Sequence, residues 1–426
     1  MGAPFILSLF LVMLVLGAPF AFAMGLAAFT GVVMFSGFDA LIQFPIVAYQ
    51  MLNTAAFLAL PLFIMMGTII LHGKIGDELF DVSRSFLGHY RGGLAVSSIV
   101  ACALFAAISS SSLATAATIG GIAVPSMLRQ GYPKKLVFGP VAAGGTLGVL
   151  IPPSGVLILY GAVTDVSVGD LFIAGVVPGL LLALIFCGTV AFMFRRNNVI
   201  PPPKANWAER RGALKRAFWA IVLAVSVLGG LYSGLFTPNE AGAVGVVLAL
   251  IVTVVIKRTI SLSRLPAVLI EGTKFSGFIL GAIIASSLFN HLLIEMRVIE
   301  TLTNFVLNVN VNTTVILVMI AALLIFLGMF FEVSPLVLII TPILFPIIMA
   351  LGVDPIWFGI YLVVAIETAF LTPPVGMNLF IIQAIGRQHT DTAFSEVMRS
   401  TAPYLFSLLA MLVVLLAFPG ITHVFL

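Results

Sequence analysis

The sequence predicts an all-α polytopic membrane protein of two inverted-topology repeats, each with five crossings and one re-entrant hairpin. Three observations predict it: an apolar composition, a one-sided distribution of basic residues, and an internal repeat. Of 426 residues, 61% are hydrophobic and 8% charged, with a mean hydropathy of +1.22. A soluble domain carries about 25% charged residues, so this chain has too few to cover itself in water. A helix needs roughly 20 apolar residues to span the hydrocarbon core, and runs such as 5–35 and 217–236 supply them. The two-residue alternation of a membrane β-barrel is absent. Cys102 and Cys187 both sit in apolar runs and imply neither a disulfide framework nor a metal site. The net charge of +4 is no nucleic-acid footprint, because the basic residues fall in short loops between spans. No Lys or Arg precedes Lys74, so the first run is expected to stay in the membrane and not to act as a cleaved signal.

The basic residues order the elements. Arg195, Arg196, Lys204, Arg210, Arg211, Lys215 and Arg216 mark a cytoplasmic segment. Backward from it, residues 171–194 cross outward to Asp165 and Asp170, and 136–163 cross back to Lys134, Lys135 and Arg129. Residues 93–128 start beside Arg91 and end at Arg129, both inside, so they turn within the membrane near Ser109, Ser110, Ser111 and Ser112. Three crossings then lead back to an outer N-terminus, two of them sharing 1–35 with a break near Gly17 and Pro19. Forward, 217–236 cross out, 241–256 cross in, and 275–294 cross out to Glu295, Arg297 and Glu300. Residues 313–351 turn back near Glu332, 356–385 cross in to Arg387, and the last span ends outside. This order leaves 19 of the 20 Lys and Arg inside, with only Arg297 outside. Residues 77–90 and 206–218 mix large apolar side chains with charges and read as amphipathic helices lying flat on the bilayer.

A shift of 221 residues aligns the halves, carrying Phe105 onto Phe326, Pro125 onto Pro346 and Gly131 onto Gly352. It also carries Ile151-Pro-Pro-Ser-Gly155 onto Thr372-Pro-Pro-Val-Gly376, and Ser111 onto Glu332. An odd number of crossings per copy inverts the second copy, a plan common among membrane transport proteins. The first repeat covers 1–194, with scaffold spans, hairpin 93–128 and broken span 136–163. A cytoplasmic linker with an amphipathic helix covers 195–216, and the second repeat covers 217–426, with hairpin 313–351 and broken span 356–385.

The chemistry gathers at the breaks. A Pro-Pro pair in mid-span removes backbone donors and interrupts the helix. Freed carbonyls at membrane depth need a polar partner, and interrupted spans in matching positions of two halves point to a midplane site. A simple kink is the alternative. The serine run offers hydroxyls and loosely held carbonyls, with Thr115 and Thr118 on the next turns; helix-packing serines are the alternative. Glu240, Glu332 and Glu367 are the carboxylates left at membrane depth, where such groups are candidates by default. Sodium, a hard cation, takes oxygen ligands, and Glu332 at the second tip and Glu367 beside the second break supply them. Glu240, after Thr237 and Pro238, reads as a helix cap. His72, His89, His291, His389 and His423 are scattered, and no zinc-protease pair, nucleophile elbow or phosphate loop appears, so no enzyme is expected. Without an ATP-binding motif, the expected energy source is an ion gradient or none at all.

Four stretches resemble the large membrane subunit of tripartite ATP-independent periplasmic (TRAP) transporters. They are LFAAISSSSLATAA (104–117), GTLGVLIPPS (145–154), GLFTPNEA (234–241) and LTPPVGMNLF (371–380). Ser111 stands where that family usually has a Gly-Ser or Ser-Gly-Ser turn, and Glu332 where some members carry Asp. The resemblance covers essentially the whole chain. It implies a multi-pass protein of a bacterial inner membrane, with both termini periplasmic by the charge order, beside a small four-helix membrane subunit. A periplasmic binding protein would deliver an organic acid, a C4-dicarboxylate first, with sialic acid or another carboxylate behind. Sodium would drive import, with no other cofactor. One sodium would sit among Ser109, Ser110, Ser111, Ser112, Gly145, Thr146, Ile151, Pro152 and Ser154. A second would sit among Glu332, Val333, Ser334, Thr368, Thr372, Pro373 and Gly376. The acid would meet Ser111, Ser112, Thr115, Pro153, Ser154, Pro374 and Asn378. Hairpins and broken spans would move together as an elevator against a fixed scaffold. A stand-alone sodium–carboxylate symporter shares the plan and stays open, as do a passive channel and, from another class, an intramembrane enzyme.

Overall fold

The computed structural model describes residues 2–195, 199–309 and 311–426; Met1 and, of the basic segment, Arg196 lie outside the described residues. All regular structure among the described residues is helical. The chain opens with α1 (Gly2–Val15) and α2 (Phe20–Phe35), then α3 (Gln43–Leu52), α4 (Ala55–His72) and the short α5 (Ile75–Leu87). The pair α6 (Gly93–Ser109) and α7 (Ser112–Arg129) follows, then α8 (Phe138–Leu150), α9 (Gly155–Thr164) and α10 (Val168–Phe194). The second half holds α11 (Trp207–Tyr232), α12 (Pro238–Leu250), α13 (Leu265–Glu295) and the short α14 (Val298–Asn308). It closes with α15 (Thr313–Gly328), α16 (Val333–Ala350), α17 (Pro355–Phe370), α18 (Met377–Arg387) and α19 (Phe394–Ala417). Seven helical segments among the described residues are long and apolar enough to cross a membrane, counting Lys134–Thr164 as one.

Local chemistry places the helix ends. Ser110 adopts a left-handed conformation, φ 56°, and stops α6, while Ser111 caps α7 by accepting from Ala114 N at 3.3 Å. Ser154 restarts the helix after Pro152 and Pro153 by accepting from Leu157 N. Thr237 and Glu240 close a capping box on α12, with Pro238 in its first turn, as their order in the sequence predicts. With 17 residues in α6 and 16 in each of α15 and α17, these helices rise about 24–26 Å, short of the ~30 Å hydrocarbon core.

Two expectations differ from what is observed. Residues 206–218 form no separate flat helix: α11 runs unbroken from a capping box of Asn206 and Glu209 to Tyr232. The boundary drawn at 216/217 therefore falls inside one helix, which nothing interrupts and whose buried Ala213, Ala217 and Ala220 continue one face. The span read as 275–294 is the 31-residue α13, which begins at Leu265 and takes in Glu271 and Lys274. The expected amphipathic helix at 77–90 is α5, which buries Ile75, Leu79 and Phe80.

The main core runs through α4 to α13 and α15 to α19; a second cluster joins α1 and α2 to α13 through Phe10, Met24, Phe289 and Leu292. Within the main core, α7 packs on α18, and α16 packs on α9. Polar contacts join segments that the charge order puts on the same side. Lys257 meets Glu78, Arg216 lies 3.4 Å from Asp81, and Lys134 lies 3.5 Å from Glu396. On the other side, Ser36 donates to Glu295 at 3.1 Å and His423 lies 3.4 Å from Asp354.

Candidate functional site

The two helix turns at Ser109–Ser112 and Glu332–Ser334 line one cavity of about 260 Å³. Its remaining walls come from α4, through Phe63, Gly67 and Thr68, and from α13, through Glu271, Phe275 and Ile279. Val149 and Gly155, on either side of the first proline break, also reach it. Among the described residues, Glu271 and Glu332 are its charged lining residues, and no Lys, Arg or His lines it.

The first turn is held by its own hydroxyls. Ser109 Oγ lies 2.9 Å from Thr115 Oγ1, which also lies 2.7 Å from Ser111 O. Ser110 Oγ is buried with no hydrogen-bond partner among the described residues. The turn sits directly on α8: a Cβ on Gly148 would lie 2.6 Å from Ser111 O and 2.8 Å from Thr115 Oγ1. Only a residue without a side chain permits that approach. The second turn is capped by a carboxylate, Glu332 accepting from Ser334 N at 3.1 Å. The end of α15 before it packs closely on α17, a Cβ on Gly328 lying 2.7 Å from that of Ala369.

Asn378 ties the two halves together. Its side chain is fully buried. Its Nδ2 donates to Ser112 Oγ at 3.0 Å and to Ala142 O at 3.1 Å. Gly145 stands beside it, a Cβ there lying 3.2 Å from Asn378 Nδ2. Ser112 and Asn378 are thus brought into contact, and of the two Ser112 lines the cavity.

The other expected residues separate. Thr146, Thr368 and Thr372 turn their hydroxyls to carbonyls of their own helical turns, Ala143 O, Val364 O and Thr368 O, at 2.8, 2.8 and 2.6 Å. Ser154 Oγ donates to Val149 O across the first break. Ile151, Pro152 and Pro153 do not line the cavity, nor do Pro373, Pro374 and Gly376 of the second break. Both Pro-Pro bonds are cis. Thr68 and Glu271 line the cavity and were not singled out from the sequence; they sit in the continuous helices α4 and α13. Glu271 pairs with His72 at 2.9 Å.

Comparison with known proteins is consistent from several directions. Residues 7–421 match the model of the family described as the DctM component of the tripartite ATP-independent periplasmic transporter. The C4-dicarboxylate TRAP transporter large permease protein DctM of Pseudomonas aeruginosa is 38% identical over 94% of this chain and 92% of its own. The sialic acid TRAP transporter large permease protein SiaM of Vibrio cholerae is 32% identical over 88% of each chain. The ectoine/5-hydroxyectoine TRAP transporter large permease protein UehC of Ruegeria pomeroyi is 32% identical over 96% of this chain and 95% of its own. Among solved structures, the YdaH transporter of Alcanivorax borkumensis shares the fold, with a TM-score of 0.57 at 14% identity over 91% of this chain and 90% of that one.

Proposed function

This chain belongs to the family of DctM components of tripartite ATP-independent periplasmic transporters, and from that premise we propose that it imports a small organic acid across a bacterial inner membrane, driven by sodium. It is a large permease subunit of a membrane transporter and not an enzyme, as its relatives are named. A C4-dicarboxylate is the favoured cargo, since relatives of that name include the 38% identical protein, with sialic acid or another carboxylate behind it. A small four-helix membrane subunit and a periplasmic binding protein complete the assembly.

The single observation that carries this reading is the cavity shared by both turns. Ser109–Ser112 and Glu332 together line one space of about 260 Å³, with no Lys, Arg or His among its described lining residues. Their hydroxyl and carboxylate oxygens suit sodium. The first ion lies between Ser109–Ser112 and the break at Ile151, Pro152 and Ser154, near Gly145 and Thr146. The second lies between Glu332, Val333 and Ser334 and the break at Thr368, Thr372, Pro373 and Gly376. The acid binds beside them, toward Ser111, Ser112, Thr115, Pro153, Ser154, Pro374 and Asn378.

Element spacing supports the inverted repeat. The 221-residue shift that matches Pro125 with Pro346 carries the bounds of α5 to α10 close to those of α14 to α19. The reciprocal packing of α7 on α18 and α16 on α9 is the pattern a two-fold between halves produces. Hairpins and broken spans then form the moving elevator, with α4 and α13 in the scaffold. The cavity reaches Leu71 and Glu271 at the ends of α4 and α13 that carry the inside charges, which fits an inward-facing state. With the charge order, both termini are periplasmic.

The test is uptake into proteoliposomes under an inward sodium gradient, with and without the cognate binding protein and small subunit. Uptake requiring sodium and both partners supports the assignment. Sodium-driven uptake by this chain alone would replace it with a stand-alone symporter, and sodium-independent flux with a channel.

A further inference from the structure

Independently of the cargo and the coupling ion, we propose that the start of α11 binds an anionic phospholipid. Arg211 and Lys215 hold its phosphate, and its acyl chain lies along Leu214, Phe218 and Val225. The charged residues of α11, Glu209, Arg210, Arg211, Lys215 and Arg216, all precede Ala217. With 26 residues the helix rises about 39 Å, against ~30 Å of hydrocarbon. Its charged start therefore reaches the headgroup layer, and its uncharged remainder stays among the chains.

The basic residues of that start are sorted by direction. Arg210 and Arg216 turn to α5, which packs against α11. Arg210 Nε donates to Ser85 O at 3.3 Å, and its guanidinium lies 5.1 Å from the ring centre of Phe86 and 5.3 Å from that of Trp207. Arg216 lies 3.4 Å from Asp81. Glu209, the one acid of α11, closes the capping box with Asn206, and Asp81 also serves Arg84. Arg211 and Lys215 are exposed, and their side chains have no ion pair or hydrogen bond among the described residues. At about 100° per residue, they stand opposite the buried Ala213, Ala217 and Ala220. Leu214, Phe218 and Val225 continue the same exposed face along the helix.

A phospholipid matches both parts of this face. The arginine fork takes two phosphate oxygens and the lysine ammonium adds a point charge. Two uncompensated cations select a lipid of net negative charge, such as phosphatidylglycerol, over phosphatidylethanolamine, whose own ammonium offsets its phosphate. The long basic stems lie on apolar surface and carry their heads to the phosphate layer. Trp207 stands at the level where interfacial aromatics gather. Free phosphate would satisfy the cations and leave the apolar stripe without a partner. A lipid clamped here sets the depth of α11 and, through Arg210 and Arg216, that of α5, which leads into the first hairpin.

The test is tryptophan quenching by chain-brominated lipids, with the full-length protein in phosphatidylcholine bilayers. Trp207 and Trp219 are exposed and report on this face, whereas Trp357 is buried. Two basic contacts should make brominated phosphatidylglycerol bind about thirtyfold better than brominated phosphatidylethanolamine at low salt, the gap narrowing as salt rises. Arg211→Gln with Lys215→Gln should bring the two lipids within about twofold. Arg258→Gln with Arg264→Gln, exposed cations on another segment, should leave the preference intact. Equal quenching by the two lipids in wild type would overturn the proposal whether or not any variant folds. Equal loss in both double variants would mean diffuse surface charge and would overturn it too. Native mass spectrometry of the chain, alone and with its small membrane subunit, should show phosphatidylglycerol retained in both. Its loss on adding the subunit would give this face to a protein partner and overturn the proposal. Neither measurement needs cargo or sodium, so a failure of the transport reading leaves this inference standing.

Discussion

A carbonyl left over by a proline should couple α13 to α16. Pro342 inside α16 has no N–H to give Leu338 O, the acceptor four residues earlier. Two side chains of α13 take over: Ser286 Oγ donates to Leu338 O at 2.6 Å and Asn290 Nδ2 at 3.3 Å. Interhelical hydrogen bonds in membranes are worth about 0.6 kcal/mol on average. A buried carbonyl left with no partner costs about 1–3 kcal/mol. Ser286→Ala alone should thus cost about 0.6 kcal/mol, because Asn290 remains, and Ser286→Ala with Asn290→Ala about 2 kcal/mol. Pro342→Ala restores a donor within α16, so in that background the same pair should cost about half as much, a coupling near ~1 kcal/mol. The assay is equilibrium unfolding of the purified protein in a bilayer mimetic, run as a double-mutant cycle. Equal costs with Pro342 in place and in the Pro342→Ala background would refute the reasoning. On the elevator reading these bonds break in each cycle, so the double variant should also shift the balance between inward and outward states.

Other outcomes follow from the site. Glu332→Ala and Ser111→Ala should each raise the sodium concentration for half-maximal uptake about tenfold, the equivalent of losing about 1.4 kcal/mol of ligand energy; unchanged sodium activation in both would remove the site assignment. Gly148→Ala should displace the first turn, since the new Cβ meets backbone at 2.6 Å, and should weaken sodium activation. Gly121→Ala on α7, with nothing within 4 Å, should instead leave uptake intact and stabilise by about 0.5–1 kcal/mol; similar behaviour of the two in uptake would contradict the close approach. Asn378→Leu should cost about 1–3 kcal/mol by stranding the buried Ser112 hydroxyl, and an unchanged melting temperature would show that the bridge carries nothing.

What the sequence revealed is the punctuation of the chain. Gly17 and Pro19, Ser110 and Ser111, Pro152 and Pro153, and Pro373 and Pro374 all mark real breaks, because Pro, Gly and Ser act on the backbone of their own turn. The expected hairpin bounds 93–128 and 313–351 lie close to those of α6–α7 and α15–α16 for the same reason. Continuity was harder to read. The charges of 206–218 resemble an interfacial helix, yet with no breaker before Trp219 the helix simply continues. Helix α14, whose place after α13 repeats that of α5 after α4, hides in a stretch read as an outer loop around Glu300. Thr68 and Glu271 were invisible as cavity residues because nothing local distinguishes them; only the packing of α4 and α13 on the two turns gives them a site to face. Ser286 and Asn290 serve a carbonyl about fifty residues away, a relation that no window of sequence contains.

The two turns are chemically unequal, and that inequality orders the binding events. The first offers hydroxyls and carbonyls and no formal charge; the second offers the Glu332 carboxylate, which has no basic partner among the described residues, while Glu271 on the same cavity wall is paired with His72. An organic anion entering that space meets like charge, and like charges a few ångströms apart repel strongly where water is scarce. On the proposed reading sodium reverses the sign of the site, so the anion should bind weakly before sodium and tightly after it. Linkage makes the effect mutual: the factor by which sodium raises affinity for the acid equals the factor by which the acid raises affinity for sodium. Glu332→Gln removes one repelling charge, so it should raise acid affinity in the absence of sodium while lowering the gain that sodium confers. Binding measured by calorimetry with and without sodium separates the two effects. A Gln variant whose sodium-free affinity is no higher than wild type would mean that Glu332 does not face the acid, and that the backbone N–H groups of the turns, not the sodium ions, meet its charge.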